Sequence, residues 1–152
     1  MGQARELTEV PLSPEEAFDL WTDLGRWPSF IDGFGHLERS DDEWPAEGAK
    51  VVWVSRPGGR GAVSERVLRS NRGAELVTQV LEERTTATQT VLFVPAEGGG
   101  TEVTLELDYR VAAGGPLRGV VDFLFIRRAQ TDSLRRTLRR FTTEAAEEST
   151  LR

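Results

Sequence analysis

Between residue 36 and residue 111 the chain alternates between two faces residue by residue, in six stretches. Six successive stretches, "HLERSDDEW", "KVVWVSRP", "AVSERVLRS", "ELVTQVLEE", "ATQTVLFVP" and "TEVTLELDYRV", read with a period of two, that of a strand with one dry and one wet face. The last is the clearest: Val103, Leu105, Leu107, Tyr109 and Val111 alternate with Thr104, Glu106, Asp108 and Arg110. The clusters "PAEG", "PGGRG", "NRG" and "AEGGG" separate the stretches as turns. Short turns between successive strands dictate antiparallel pairing. A sheet of this kind has one apolar face, and that face needs a cover.

Only the last segment is long enough to supply one. "GGPLRGVVDFLFIRRAQTDSLRRTLRRF", residues 114–141, opens a helix predicted from about Pro116 to Glu147, with residues 148–152 frayed. Its two halves differ. From Leu134 onward, positions 134, 138, 141 and 145 make a narrow stripe. Before it, Leu117, Val120, Val121, Leu124 and Phe125 spread wider and toward another side. At ~100° per residue, Phe123 to Ile126 cover nearly the whole circumference, and Arg127 and Arg128 follow at once.

The beginning of the chain reads as one strand and two short helices. "ARELTEVPL" is extended. "SPEEAFDLWTDL" starts a helix, with Ser13 as N-cap, Pro14 in the first turn and Glu16 completing a capping box. Ala17, Leu20, Trp21 and Leu24 form its apolar stripe, and Gly25 stops it. "RWPSFIDGFG" is a second helical piece bounded by Pro28 and by Gly33 and Gly35. The expected fold is therefore α+β: a seven-stranded, curved antiparallel sheet wrapped around a long C-terminal helix, with two short helices after the first strand closing one end. At 152 residues and 38% hydrophobic, residues 1–152 read as a single domain able to bury a core.

Composition removes several functions. There is no cysteine, and His36 is the only histidine. Thiolate chemistry is excluded, a structural zinc site has too few ligands, and no cofactor is expected. A net charge of −6 opposes nucleic-acid binding, which exchanges a basic surface for counterions. No apolar run approaches ~20 residues, no signal-peptide core is present, and Glu6 stands where a myristoylation signal wants Ser or Thr. The expectation is a cytoplasmic protein with no integral membrane association.

The order of elements, together with "VPLSPEEAFDLWTDLGRWPSF", the hairpin "VPAEGGGTEVTLEL" and the closing "GPLRGVVDFLFIRRAQTDSLRRTLRRF", resembles the helix-grip fold of the START and pollen-allergen (SRPBCC) superfamily. It is most similar to the polyketide cyclase/dehydrase-like branch, over roughly residues 4–147. The resemblance implies a cavity between sheet and helix, and a substrate class of lipids, polyketides, isoprenoid quinones or aromatic products.

With a cavity in place, the candidate binding residues take positions. Trp27, Phe30 and Phe34 would stand at its mouth, either as a mobile lid or as packing that seals the small end of the core. Trp53, Leu107, Tyr109, Val121 and Leu124 would line it. The Trp53 N–H and Tyr109 O–H would either orient a ligand or bond to backbone. Arg127 or Arg128 would hold a ligand oxygen, or both would reach solvent. Phe125 and Ile126, if outward, would meet a second subunit to form a homodimer, or meet the mouth helix. His36, to act as a general base, would need a partner carboxylate and a place at the cavity, and its expected site is the exposed edge of a strand. "PGGRGA" is a hairpin turn, since no helix follows to cradle a phosphate. The arginines at 135, 136, 139 and 140 read as a solvated, charge-paired helix face. Three functions remain open: binding of a small hydrophobic ligand, an aromatase/cyclase-type enzyme that closes rings on a poly-keto chain, and a protein-protein module.

Overall fold

The computed structural model describes residues 2–83, 85–111 and 116–152, apart from the side chains of Val111 and of residues 116–128. Its elements run β1 (Gly2–Val10), α1 (Pro14–Thr22), a 3-10 turn (Leu24–Arg26), α2 (Trp27–Phe30), β2 (Phe34–Ser40), β3 (Lys50–Ser55), β4 (Ala62–Asn71), β5 (Glu75–Leu81), β6 (Thr85–Pro95), β7 (Thr101–Val111) and α3 (Pro116–Leu151). The strands form one antiparallel sheet in the order β1-β7-β6-β5-β4-β3-β2. Chain neighbours are therefore sheet neighbours throughout the meander, and β1 pairs with β7. Register shifts in β2 and β4 bend the sheet.

Local chemistry explains the ends. The Ser13 hydroxyl accepts from the Glu16 N–H at 3.2 Å while the Glu16 carboxylate accepts from the Ser13 N–H at 3.0 Å, the expected capping box. Helix α1 stops three residues before Gly25: Asp23 is its C-cap, and the Asp23 carboxylate accepts from the Gly25 N–H to begin the 3-10 turn. Pro28 lies inside α2 and does not bound it. The stretch read as a strand to Trp44 ends at Ser40. Asp41 turns the chain by accepting from the Lys50 N–H, and Trp44 folds back to donate to the Thr22 carbonyl.

The dry face of the sheet is its concave one. Val103, Leu105, Leu107 and Tyr109 are all buried, as are Val91 and Phe93 beside them. Gly2 stands opposite Tyr109, and a Cβ there would come within 2.4 Å of the tyrosine ring. The missing side chain thus lets the ring lie flat across the edge strand. Helix α3 runs over this face against β1 and α2. Leu134, Leu138, Phe141 and Ala145 form its buried stripe, and Phe141 meets Trp21 and Phe30 edge to face.

Residues 148–151 are helical, not frayed, and α3 ends at Leu151. Ion pairs hold this end: Glu148 with Arg26, and Arg152 with Glu16. Three of the four arginines on this face are charge-paired, with partners across the fold: Arg135 with Glu6, and Arg136 and Arg140 with Asp32. Among the described residues no helix is long and apolar enough to cross a membrane.

The two faces of β7 make a direct test. Leu105→Asp places a charge in the core and is expected to cost more than about 4 kcal/mol or prevent folding. Glu106→Lys loses only the exposed pair with Arg5 and should cost under about 1 kcal/mol. Urea unfolding of the two variants checks the assignment, and equal losses would reverse it.

Candidate functional site: a polar stripe in the concave face

Strand β4 carries an acid on its dry face. Val63, Glu65 and Val67 alternate inward, and all three are buried. In the register Glu65 stands opposite Val51 on β3 and Val80 on β5, while Thr78 stands opposite Gln89 on β6. A stripe of polar side chains therefore crosses the middle of an otherwise apolar surface.

The carboxyl and the hydroxyl of the stripe are hydrogen-bonded. The Trp53 indole N–H donates to Glu65 Oε2 at 2.9 Å, and the Thr78 hydroxyl reaches Oε1 at 3.4 Å. Arg60, from the turn between β3 and β4, lays its guanidinium 5.2 Å from the centre of the Trp53 ring and pairs with Glu82. Burial pushes the Glu65 carboxyl above the ordinary glutamate range; the Trp53 hydrogen bond and the Arg60 charge oppose this without cancelling it.

Between this surface and α3 the described residues leave a space of about 30 Å³, room for one or two waters. Trp21, Trp27, Trp53, Leu105, Leu107 and Leu134 supply its apolar walls. Glu65, Arg60 and Gln89 face it from the sheet side, and Gln130, Ser133 and Thr137 from α3. One end is closed by a clasp. Asp32, just after α2, accepts two hydrogen bonds from Arg136 and one from Ser133, and its backbone N–H donates to Thr137. Burial alone would raise the Asp32 carboxyl, but these bonds and the charges of Arg136 and Arg140 outweigh it and hold it below the usual range.

The residues singled out in the sequence fall into three groups. Trp27, Trp53 and Leu107 border the space. Phe30, Phe34 and Tyr109 are buried in the packing around it, with Phe34 stacked on Trp53 and set edge-on to Trp27. The Trp27 N–H donates to the Trp21 carbonyl, and the Trp53 N–H bonds to a side chain. The side chains of Val121, Leu124, Phe125, Ile126, Arg127 and Arg128 lie outside the described residues. His36 is exposed on the edge strand β2, and among the described residues no acidic or histidine cluster could hold a metal ion. Glu65, Arg60 and Asp32 carry no role in the sequence reading. The signal for Glu65 was present, since it sits in phase with Val63 and Val67.

A family model described as polyketide cyclase/dehydrase and lipid transport matches residues 1–146. The chain belongs to this family. No functionally curated protein matches it in sequence. Among solved structures it is similar to a START superfamily protein from Mycobacterium smegmatis, at 15% identity and a TM-score of 0.73 over 94% of this chain and 96% of that one. It is also similar to the di-domain aromatase/cyclase StfQ of the steffimycin biosynthetic pathway, at 16% identity and a TM-score of 0.74, with 97% of this chain covering 51% of that one. A third likeness is to norcoclaurine synthase from Thalictrum, at 15% identity and a TM-score of 0.70 over 97% and 95% of the two chains. At these identities the structures share the fold. Helix-grip architecture is thus common to proteins with different tasks.

The raised Glu65 carboxyl has a pH signature. An acid whose folded pKa exceeds its unfolded value takes up protons on folding, so stability falls as pH rises above the ordinary value of 4.5. Glu65→Gln removes that ionisation and is expected to gain on the native protein from about pH 4.5 to neutrality. Urea midpoints at several pH values measure it, and a difference independent of pH would remove the assignment.

Proposed function

We propose that the protein binds a small, mostly apolar molecule between the concave sheet face and α3, as a carrier in the cytoplasm. The observation that carries this reading is the polar stripe of Glu65, Thr78 and Gln89 set among aromatic and aliphatic walls. A core serving packing alone gains nothing from an oriented carboxyl, whereas a ligand site needs a few placed polar groups in an apolar shell. Family membership supports the same class of ligand. The small volume enclosed by the described residues implies that binding widens the space, and the Asp32 clasp marks where α2 and α3 would part. In this reading Trp27, Phe30 and Phe34 stand on the entry side.

A second reading, aromatase/cyclase-type catalysis, draws on Glu65 as a buried acid able to move a proton. Its mark would be turnover of a poly-keto chain that Glu65→Gln abolishes.

Titration with N-phenyl-1-naphthylamine, an uncharged apolar fluorophore, tests the binding reading. One-to-one saturable binding that quenches tryptophan emission is expected, because Trp27 and Trp53 border the site. Val80→Phe, which fills the space from the sheet, should weaken the probe at least about tenfold while still melting cooperatively. Absence of saturable binding, or identical binding by Val80→Phe, would overturn it.

A further inference from the structure

The stripe's chemistry narrows the ligand, on the premise that the space is a binding site. Glu65 Oε2 is engaged by the Trp53 indole N–H at 2.9 Å, which leaves Oε1 with only the long 3.4 Å approach of the Thr78 hydroxyl. Oε1 is therefore the oxygen with capacity for another partner. The charged groups that could balance a carboxylate are few among the described side chains: Arg60 borders the space, and its guanidinium is taken by Glu82. An ionised Glu65 would leave a buried negative charge with no counter-charge of its own, whereas a neutral one leaves the partly exposed Arg60–Glu82 pair balanced. Burial favours the same neutral form. A neutral carboxyl held through Oε2 presents its proton on Oε1, so it acts as a hydrogen-bond donor. A cationic amine is disfavoured twice, by the absent anion and by the Arg60 guanidinium at the rim.

We propose that Glu65 anchors the ligand, and that the site takes an uncharged apolar molecule bearing a ketone-type carbonyl, whose oxygen accepts a hydrogen bond from Glu65 Oε1. The Trp53 indole beneath Arg60 then serves as the positioning group, since its N–H fixes which carboxyl oxygen faces the ligand. Gln89, beside Thr78 in the stripe, would meet the edge of the same oxygen.

Three probes of nearly equal size and shape decide this: 2-acetylnaphthalene, 2-isopropylnaphthalene and 2-(1-aminoethyl)naphthalene. Their affinities are measured by tryptophan quenching on the full chain. The native protein is expected to prefer the ketone to the hydrocarbon by about three- to tenfold, the range for one neutral hydrogen bond, with the amine weakest. Glu65→Met should abolish the preference. Glu65→Gln, which keeps an acceptor for Trp53 and gains an N–H donor, should retain part of it and guards against a misfolded Met variant. Difference infrared spectra should show a protonated-carboxyl band that shifts when the ketone binds and is missing in Glu65→Gln. Equal binding of ketone and hydrocarbon, or tightest binding of the amine, would overturn the anchor while leaving the apolar site intact. Failure of all three probes to bind would overturn the site and the anchor together.

Discussion

The dry concave face of the sheet is the constraint on which the rest of the molecule depends. Seven strands joined by short turns leave their inward side chains on one surface, and that surface is stable only when covered. One helix does most of the covering. The stripe of Leu134, Leu138, Phe141 and Ala145 is buried completely or nearly so, and each large side chain withdrawn from water contributes about 1.5–3 kcal/mol. Trp21 and Phe30 close against Phe141, so the two short helices pack onto the cover as well as onto the sheet. The ion pairs of Arg26 with Glu144 and Glu148, and of Arg135 with Glu6, lie at the rim of this contact. They fix its register more than they strengthen it.

Against that economy the stripe of Glu65, Thr78 and Gln89 stands out. An isolated carboxyl in a dry interior is unfavourable unless hydrogen-bonded, and even then an apolar side chain of similar volume would serve packing as well. Here the carboxyl is held by an indole that is itself fixed, stacked on Phe34 and covered by Arg60. Trp53, Phe34 and Trp27 thus form a continuous aromatic path from the carboxyl to α2.

Much of this was legible in one dimension, and the reasons are specific. Period-two alternation located six of the seven strands within a few residues, because a half-buried strand must alternate, and the extended stretch at residues 4–12 located the first. Ser13, Pro14 and Glu16 located the start of α1 through a capping box that acts within four residues. The phase of Leu134, Leu138, Phe141 and Ala145 identified the buried face of α3. Less legible were events that depend on partners distant in sequence. The end of α3 was placed too early, since Arg26 and Glu16 hold it from the other end of the chain. The end of β2 was placed too late, since Asp41 finds its partner at Lys50.

Sequence alone determined that this chain makes an antiparallel sheet gripping a terminal helix, because backbone periodicity, caps and turns are local and each residue reports on its neighbours. Only the tertiary structure decided which polar groups share the interior. Glu65, Thr78 and Gln89 are separated in the chain and meet through strand register, and Arg60 finds both Trp53 and Glu82 only when the β3–β4 turn is in place at the ends of the strands. Trp53 was marked in advance as an amphipathic aromatic, but its partner was not, because a hydrogen bond across two strands leaves no trace in the spacing of either one. The physical reason is range: propensity and periodicity act over a few residues, whereas burial and charge are properties of a neighbourhood assembled from the whole fold.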